Sequence, residues 1–367
     1  MGSLSRMSRD CWNVNSTNDY QIYAPFCTKN ATTGDTSTFI DCYTPSTNSW
    51  HRATSIPGHG ENLALKDFSM VSIGHHIYVI GGRLCRKSAE PNIDPGPENT
   101  PRVVPCVHRY NVTTNSWDTC APMAQPRFNF ACTVYNNKIY VAGGQSTLGR
   151  AKGISSTELY DPALDQWRSL ANMTRMRYKC VGVIWQGKIH VVGGFVDGGE
   201  IPGPFHMTRS SAEVYDVQRD KWDFMARMWD LDVPPYQIVA VNGKLFSSGD
   251  CFKRWKGHIE AYDEKENIWN VVHGSYFDCL SPSSRAEVTS SSCSAVMWPS
   301  YLTMAPIGNQ LYFLVGYRIP GEGSRLRSEV HVFDTAANGG GWQSCEPLEE
   351  EGEKELCGHC VVIKQEH

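Results

Sequence analysis

No stretch of the 367 residues approaches the ~18 consecutive apolar residues of a membrane-crossing helix, so no membrane contact is expected. Met1–Asp10 carry no hydrophobic core of a secretory signal, and the chain is expected in the cytoplasm or nucleus, not outside the cell. Gly2 follows the initiator, but Arg6 stands where myristoylation requires Ser or Thr. A basic excess is also missing. The 34 Lys and Arg against 38 Asp and Glu give a net charge of −4, which argues against nucleic acid as a partner. Zinc-spaced Cys/His clusters are absent, and none of the 12 His stands in a recognisable triad, so neither a cofactor nor a catalytic constellation is expected.

Hydrophobic residues, by contrast, make up 41% of the chain and charged ones 20%, enough to bury a large core and to exclude disorder. Without a secretory signal the 14 Cys are expected to stay reduced, those in strand-like runs (Cys132, Cys180, Cys251) acting as small hydrophobes. The sequons starting at Asn15, Asn30, Asn111 and Asn172 carry no weight for the same reason.

One unit recurs along the chain: an alternating run and tight turn, β-formers ending in paired glycines, a variable loop, Tyr-Asp, and then Trp. The clearest copy has Ile139–Ala142, Gly143, Gly144, Glu158, Tyr160, Asp161 and Trp167. Others hold Ile77–Ile80, Gly81, Gly82, Tyr110 and Trp117, and Ile189–Val192, Gly193, Gly194, Glu213, Tyr215, Asp216 and Trp222. Two copies are degenerate, one with Leu245, Phe246, Gly249, Tyr262, Asp263 and Trp269, the other with Leu311–Leu314, Gly316, Phe333, Asp334 and Trp342. A sixth is split. Tyr20–Phe26, Phe39–Tyr43 and Ser49–Ala53 supply three strands near the start, and Cys360–Ile363 supplies the missing first strand. Pairing the ends would close a ring and remove open sheet edges. The glycines allow close backbone approach, and the repeated Tyr and Trp fill the gaps between sheets. Glu158 and Glu213 hold equivalent places, which indicates a repeated hydrogen bond or ion pair between neighbouring sheets rather than catalytic acids.

The ordered set of paired Gly, Tyr-Asp and Trp resembles the kelch repeat, and within it the plant F-box/kelch proteins, over about Tyr20–Ile363. The resemblance implies an all-β, six-bladed kelch propeller of four-stranded antiparallel blades (residues 19–363), closed by pairing of the C-terminal strand with the N-terminal blade and monomeric. Tails at 1–18 and 364–367 and insertions at 87–105 (Pro-rich) and 274–300 (Ser-rich) complete the division. Fewer than twenty residues precede the first strand, so an F-box is not expected.

In such blades the second-to-third and fourth-to-first connections emerge at one end, and the long connections here are of those kinds. Segments 83–102, 145–155, 195–210, 250–258 and 317–328 together carry +6, leaving −10 on the rest. A basic loop set on an acidic body suits an acidic partner. Arg127 and Arg177 open the first strands of their blades, with Val233 and Pro299 as the counterparts in degenerate copies. In kelch-type adaptors Arg at this position contacts acidic peptides, and the resemblance implies the same here. The residues after the glycines (Arg83, Gln145, Phe195, Asp250 and Tyr317) also line the adaptor surface, and Phe128, Tyr178, Trp255 and Arg318 complete the candidate face. The Arg side chains could equally bond loop carbonyls.

Two motifs remain. Cys357-Gly-His-Cys360 leads into the closing strand and reads as structural, because a redox pair needs a helix N-terminus. Glu90, Asp94 and Glu98 are similar in spacing to the iron-binding motif of plant specifier proteins. The solvated acidic loop is the preferred reading, with a weak hard-cation site as the alternative. The functional expectation is a non-enzymatic module binding a protein or acidic peptide through the loop face at the channel mouth, adaptor-like in role. The alternative is a plant-type kelch enzyme or binding protein for a small acidic or phenolic metabolite in a pocket at the same place.

Overall fold

A computed structural model describes residues 19–29, 36–57, 63–86, 100–196, 210–229, 231, 233–254, 258–272, 299–319, 325–336, 341–352 and 354–365. Among these, all helix- or strand-forming segments are β-strands, arranged mainly in antiparallel sheets of four. The second sheet orders Ser69–Ile73, His76–Ile80, Val107–Asn111 and Ser116–Cys120 from one side to the other. The third has Ala131–Tyr135, Lys138–Ala142, Thr157–Asp161 and Gln166–Leu170, and the fourth Val181–Trp185, Lys188–Val192, Ala212–Asp216 and Lys221–Met225. The fifth has Ile238–Val241, Lys244–Ser247, Glu260–Asp263 and Ile268–Val271. The sixth has Pro299–Ile307, Gln310–Arg318, Arg325–Asp334 and Gly341–Ser344. Both degenerate copies therefore form their sheets.

The first sheet joins the two ends of the chain. Tyr20–Lys29, Thr36–Thr44 and Ser49–Ser55 pair in sequence, and Val361–Lys364 takes the remaining place beside Tyr20–Lys29. The register sets Tyr23 against Val361 and Tyr20 against Lys364, one residue past the expected boundary at 363. The first strands of successive sheets touch in order from the second sheet to the sixth. Val361–Lys364 touches both Pro299–Ile307 and Ser69–Ile73.

The apolar core is divided among the gaps between sheets. Tyr78, Ile80 and Val107 meet Ile139, Val141 and Tyr160 between the second and third. Tyr43 and Ile22 meet Tyr312, Leu314 and Val332 between the first and sixth. Second strands are covered on both faces, which explains their continuous apolar runs in place of alternation.

The repeated aromatics pack as expected, and most also have a pinned polar tip, the indole N–H of Trp50 being an exception. Trp167 and Trp222 donate their indole N–H to Ala121 O (2.8 Å) and Ala171 O (2.9 Å) in the link leaving the preceding sheet. Each Tyr hydroxyl bonds a turn residue five positions on: Tyr43–Asn48, Tyr110–Asn115, Tyr160–Asp165, Tyr215–Asp220 and Tyr262–Asn267, at 2.5–3.0 Å. All five turn residues have φ between 46° and 54°, the left-handed region that Asn and Asp tolerate best. Tyr-x4-Asn/Asp-x-Trp is thus one unit, of which the sequence reading used only the Tyr and the Trp.

Candidate functional site

Beyond the glycine pairs, the first and second strands of each sheet continue past the main ladder. The register there repeats in five sheets. Lys66 stands opposite Arg83, Phe128 opposite Gln145, Tyr178 opposite Phe195, Pro235 opposite Asp250, and Pro299 opposite Tyr317. The residues after the glycines therefore do occupy equivalent places at one end. The pairing also corrects two equivalences. Pro234, not Val233, matches Arg127 and Arg177. Pro299 matches Phe128 and Tyr178 instead, because a register irregularity between Pro299 and Tyr301 offsets simple counting.

Arg127 and Arg177 are not at a ligand surface. Both are 0% exposed. Arg127 donates to Gly143 O (2.9 Å), Ser156 O (3.0 Å) and the Glu158 carboxylate (2.5 Å). Arg177 repeats the set with Gly193 O, Ser211 O and Glu213. Each Arg carbonyl in turn accepts the amide of the preceding sheet's second glycine, Gly82 N–H for Arg127 and Gly144 N–H for Arg177. Gly143 has φ 69°, and a Cβ there would stand 2.7 Å from Arg177 O. Glu158 also accepts the amides of Ala124 (2.8 Å) and Gln125 (3.3 Å), and Glu213 those of Thr174 and Arg175. Burial pushes the Arg127 guanidinium's pKa down while Glu158 opposes the shift. An ion so fully enclosed has no face left for a partner, although the buried Nε of Arg127 lacks a hydrogen bond. Each ion pair is closed within one sheet and the link entering it, not between sheets as the repeated glutamates suggested, and the bond to the preceding sheet is made by the Arg carbonyl.

The sheet that joins the chain ends has a variant of this ion pair. Asp41 lies opposite Ala24 as Glu158 lies opposite Val141, and its cation is Lys354, only 6% exposed. The ammonium stands 3.3 Å from Asp41 and 2.5 Å from Glu350. Its surroundings are aromatic, with Phe26 at 4.4 Å, Trp50 at 4.9 Å and Tyr301 at 5.9 Å.

The other predicted residues are dispersed around the loop end. Arg83 is ion-paired with Asp67, with its guanidinium 5.4 Å from the buried Phe128 ring. Gln145 is buried and takes an N–H from the Asn129 amide (3.3 Å). Tyr178 and Phe195 pack as tilted rings at 5.3 Å, and Phe252 adds a third ring 6.3 Å from Phe195. Asp250 is not a free carboxylate, because it accepts the amides of Phe252 and Lys253 and so builds the turn that lifts Phe252 outward. Tyr317 is buried and Arg318 exposed. Trp255, Glu90, Asp94 and Glu98 lie outside the described residues, as do 87–99 of the Pro-rich and 274–298 of the Ser-rich segment.

Three residues at this end were missed. Phe252 is 74% exposed. Tyr236 carries the Arg254 guanidinium at 5.4 Å and packs edge-on to His359 at 4.9 Å. The Asp-x-x-Lys turn was the available signal for Phe252; nothing local marked Tyr236 or His359, which meet from distant parts of the chain. Of the Cys-x-x-Cys pair, Cys360 bonds Thr303 and Met304 O, and burial pushes its thiol up to about 12. Cys357 lies instead against Cys27.

The fold is that of an all-β repeat protein whose four-stranded sheets are stapled through paired glycines. Residues 126–174 and 176–228 match the Kelch motif. An F-box/kelch-repeat protein of Arabidopsis thaliana, At1g16250, is 32% identical over 120 residues, covering 33% of this chain and 30% of that protein. Kelch-like protein 21 of Rattus norvegicus is 26% identical over 260 residues, covering 64% of this chain and 40% of its own length. Human Kelch repeat and BTB domain-containing protein 12 is 28% identical over 128 residues, covering 34% of this chain and 19% of that protein. The chain thus carries kelch repeats in its third and fourth sheets and is similar to kelch-repeat proteins. It spans well under half the length of these relatives.

Proposed function

We propose that the six sheets close into a single kelch propeller, with Val361–Lys364 as the first strand of the first blade, and that it serves as a protein-recognition module. Apolar clusters in every gap between consecutive sheets support closure, the gap between sixth and first included. The partner docks on the end where the strands continue past the glycines. One observation carries this reading: three aromatic rings, Tyr178, Phe195 and Phe252, pack in succession at tilted angles across the fourth and fifth sheets and finish in a ring 74% exposed. A large exposed aromatic is the residue type that anchors protein interfaces. Lys253 beside Phe252 and Arg318 on the sixth sheet make the surroundings basic, which favours an acidic partner surface.

Relatives carry the names F-box/kelch-repeat and Kelch repeat and BTB domain-containing, so their kelch part is joined to a second domain. The stretches of this chain that match them include kelch repeats, and we assign partner selection to these repeats. Affinity capture with the wild-type chain and with Phe252→Asp tests the assignment. The variant is expected to lose partners retained by wild type while keeping the same unfolding temperature. Equal capture by both would overturn it.

A further inference from the structure

The seam where the two ends of the chain meet holds two cysteines on one face. Lys354–Leu356 pairs antiparallel with Tyr20–Lys29, setting Phe26 against Leu356 and Cys27 against Glu355. One further bond runs from Cys357 N–H to Pro25 O (3.0 Å). Residues opposite one another share a face, and so do residues two apart, which puts Cys27, Glu355 and Cys357 together. Packing agrees with the register. Phe26 and Leu356 lie with Tyr301 and Leu326 on the side of the sixth sheet, whereas Cys357 packs with Leu63, Leu65 and Phe68 on the side of the second. The two thiols touch, Cys357 S–H donating toward the Cys27 sulfur. At Cys357 and Gly358 the chain bends out of the ladder, so the backbone there is free to close the last distance to a disulfide.

Both thiols are free, and neither residue is sealed off, Cys27 being 7% exposed and Cys357 half-buried. Cys27 is the one described cysteine whose pKa is pushed down. The Cys357 hydrogen bond does most of this and the Lys66 ammonium adds to it, against burial and the Glu355 charge. Every other described cysteine is pushed up, Cys180 to about 11 and Cys360 to about 12. Lys66 and the neighbouring thiol thus do for Cys27 what a helix N-terminus does for a Cys-x-x-Cys pair. Cys360 takes no part, because Thr303 and Met304 O hold its thiol on the other side of the sheet. An acidic thiol beside a second thiol is the attacking and resolving arrangement of oxidation-sensitive cysteines.

We propose that Cys27 and Cys357 are a peroxide-oxidisable pair whose disulfide locks the two ends of the chain together. The Cys27 thiolate attacks one oxygen of a hydroperoxide. The O–O bond breaks, and the released oxygen takes a proton and leaves as water or an alcohol. Cys27 is then a sulfenic acid. The Cys357 sulfur attacks the Cys27 sulfur, the S–O bond breaks, and the departing hydroxide takes the Cys357 proton and leaves as water. The two sulfurs have lost two electrons and the hydroperoxide has gained them. A dithiol reverses the step by exchange. The disulfide encloses nearly the whole chain, the long-loop case in which a cross-link restricts the unfolded state most. It depends on the meeting of the chain ends, and not on partner recognition.

The test uses the full chain, reduced, freed of reductant, exposed to hydrogen peroxide, blocked with iodoacetamide and mapped by peptide mass spectrometry without reduction. A peptide joining Cys27 to Cys357 is expected, abolished by dithiothreitol and by Cys27→Ser or Cys357→Ser, and retained in Cys360→Ser. Peroxide-treated Cys357→Ser should hold a dimedone-reactive sulfenic acid at Cys27, which fixes the order of the two steps. Lys66→Met should slow cross-linking roughly threefold. The oxidised wild type should unfold roughly 5–10 °C above the reduced wild type, a comparison that needs no variant to fold. Free thiols at both positions after peroxide, a Cys357–Cys360 bond in their place, or a cross-link that leaves the unfolding temperature unchanged overturns the proposal. Slow amide exchange at Val361–Lys364 without any cross-link would sink the site and leave the closed ring standing. Loss of Phe252-dependent capture would sink the recognition reading and leave the thiol pair untouched.

Discussion

Arg127→Ala separates a structural arginine from a ligand-contacting one. The guanidinium is 0% exposed and donates to two carbonyls, the Ser156 hydroxyl and Glu158, whose own side chain is 3% exposed. Removing one member of a buried ion pair costs ~3–5 kcal/mol, because the remaining charge has lost its counterion. Glu158 keeps the Ala124 and Gln125 amides, which places the expected cost near the lower end, about 3 kcal/mol. With a urea slope of about 3 kcal/mol/M, the unfolding midpoint should fall by roughly 1 M. Replacing both partners, Arg127→Met with Glu158→Leu, should recover much of that loss, since an apolar pair leaves no orphaned charge. Urea unfolding followed by tryptophan fluorescence reads both effects. A midpoint unchanged in Arg127→Ala, together with loss of a binding partner, would refute the structural pairing and return Arg127 to the ligand surface.

Further outcomes follow from the same geometry. Lys354→Ala should destabilise by ~2–4 kcal/mol through loss of the aromatic cage and of Asp41's partner, and calorimetry measures it. Gly143→Ala should cost at least ~2 kcal/mol, because its φ of 69° strains any Cβ and that Cβ meets Arg177 O, and a lowered urea midpoint reports it. Acid should weaken the fold in two steps. Burial holds His190 down to about 4, so its contribution is complete above the usual histidine range and falls as pH drops through that range toward 4. The carboxyls of Asp165 and Asp220 are held low by Tyr160 and Tyr215, so theirs is present above the usual carboxylate range and is lost as pH falls through the lowered values. Asp165→Asn with Asp220→Asn should flatten the more acidic step in a pH series of unfolding temperatures.

The repeated elements were legible because they obey one local rule. Paired glycines, Tyr and Trp recur in order, and even the split copy was found from Phe39–Tyr43 and Cys360–Ile363. The role of Arg127 was not legible, since a position at a strand opening does not say whether a side chain turns outward or back toward its own sheet's glutamate. Only the pairing of Arg127 with Glu158, and of Arg177 with Glu213, decides that. The irregularity beside Pro299 shifted an equivalence by one residue, which counting along the chain cannot detect. Lys354, Tyr236 and His359 draw their surroundings from sheets far apart in sequence, and no local pattern announces such meetings.

Closure of the chain on itself is measured most directly by backbone hydrogen exchange at Val361–Lys364. Paired with Tyr20–Tyr23 and packed between the second and sixth sheets, these amides should exchange as slowly as those of Ile139–Ala142. Slow exchange at the third sheet with rapid, unprotected exchange at Val361–Lys364 would contradict the closed arrangement.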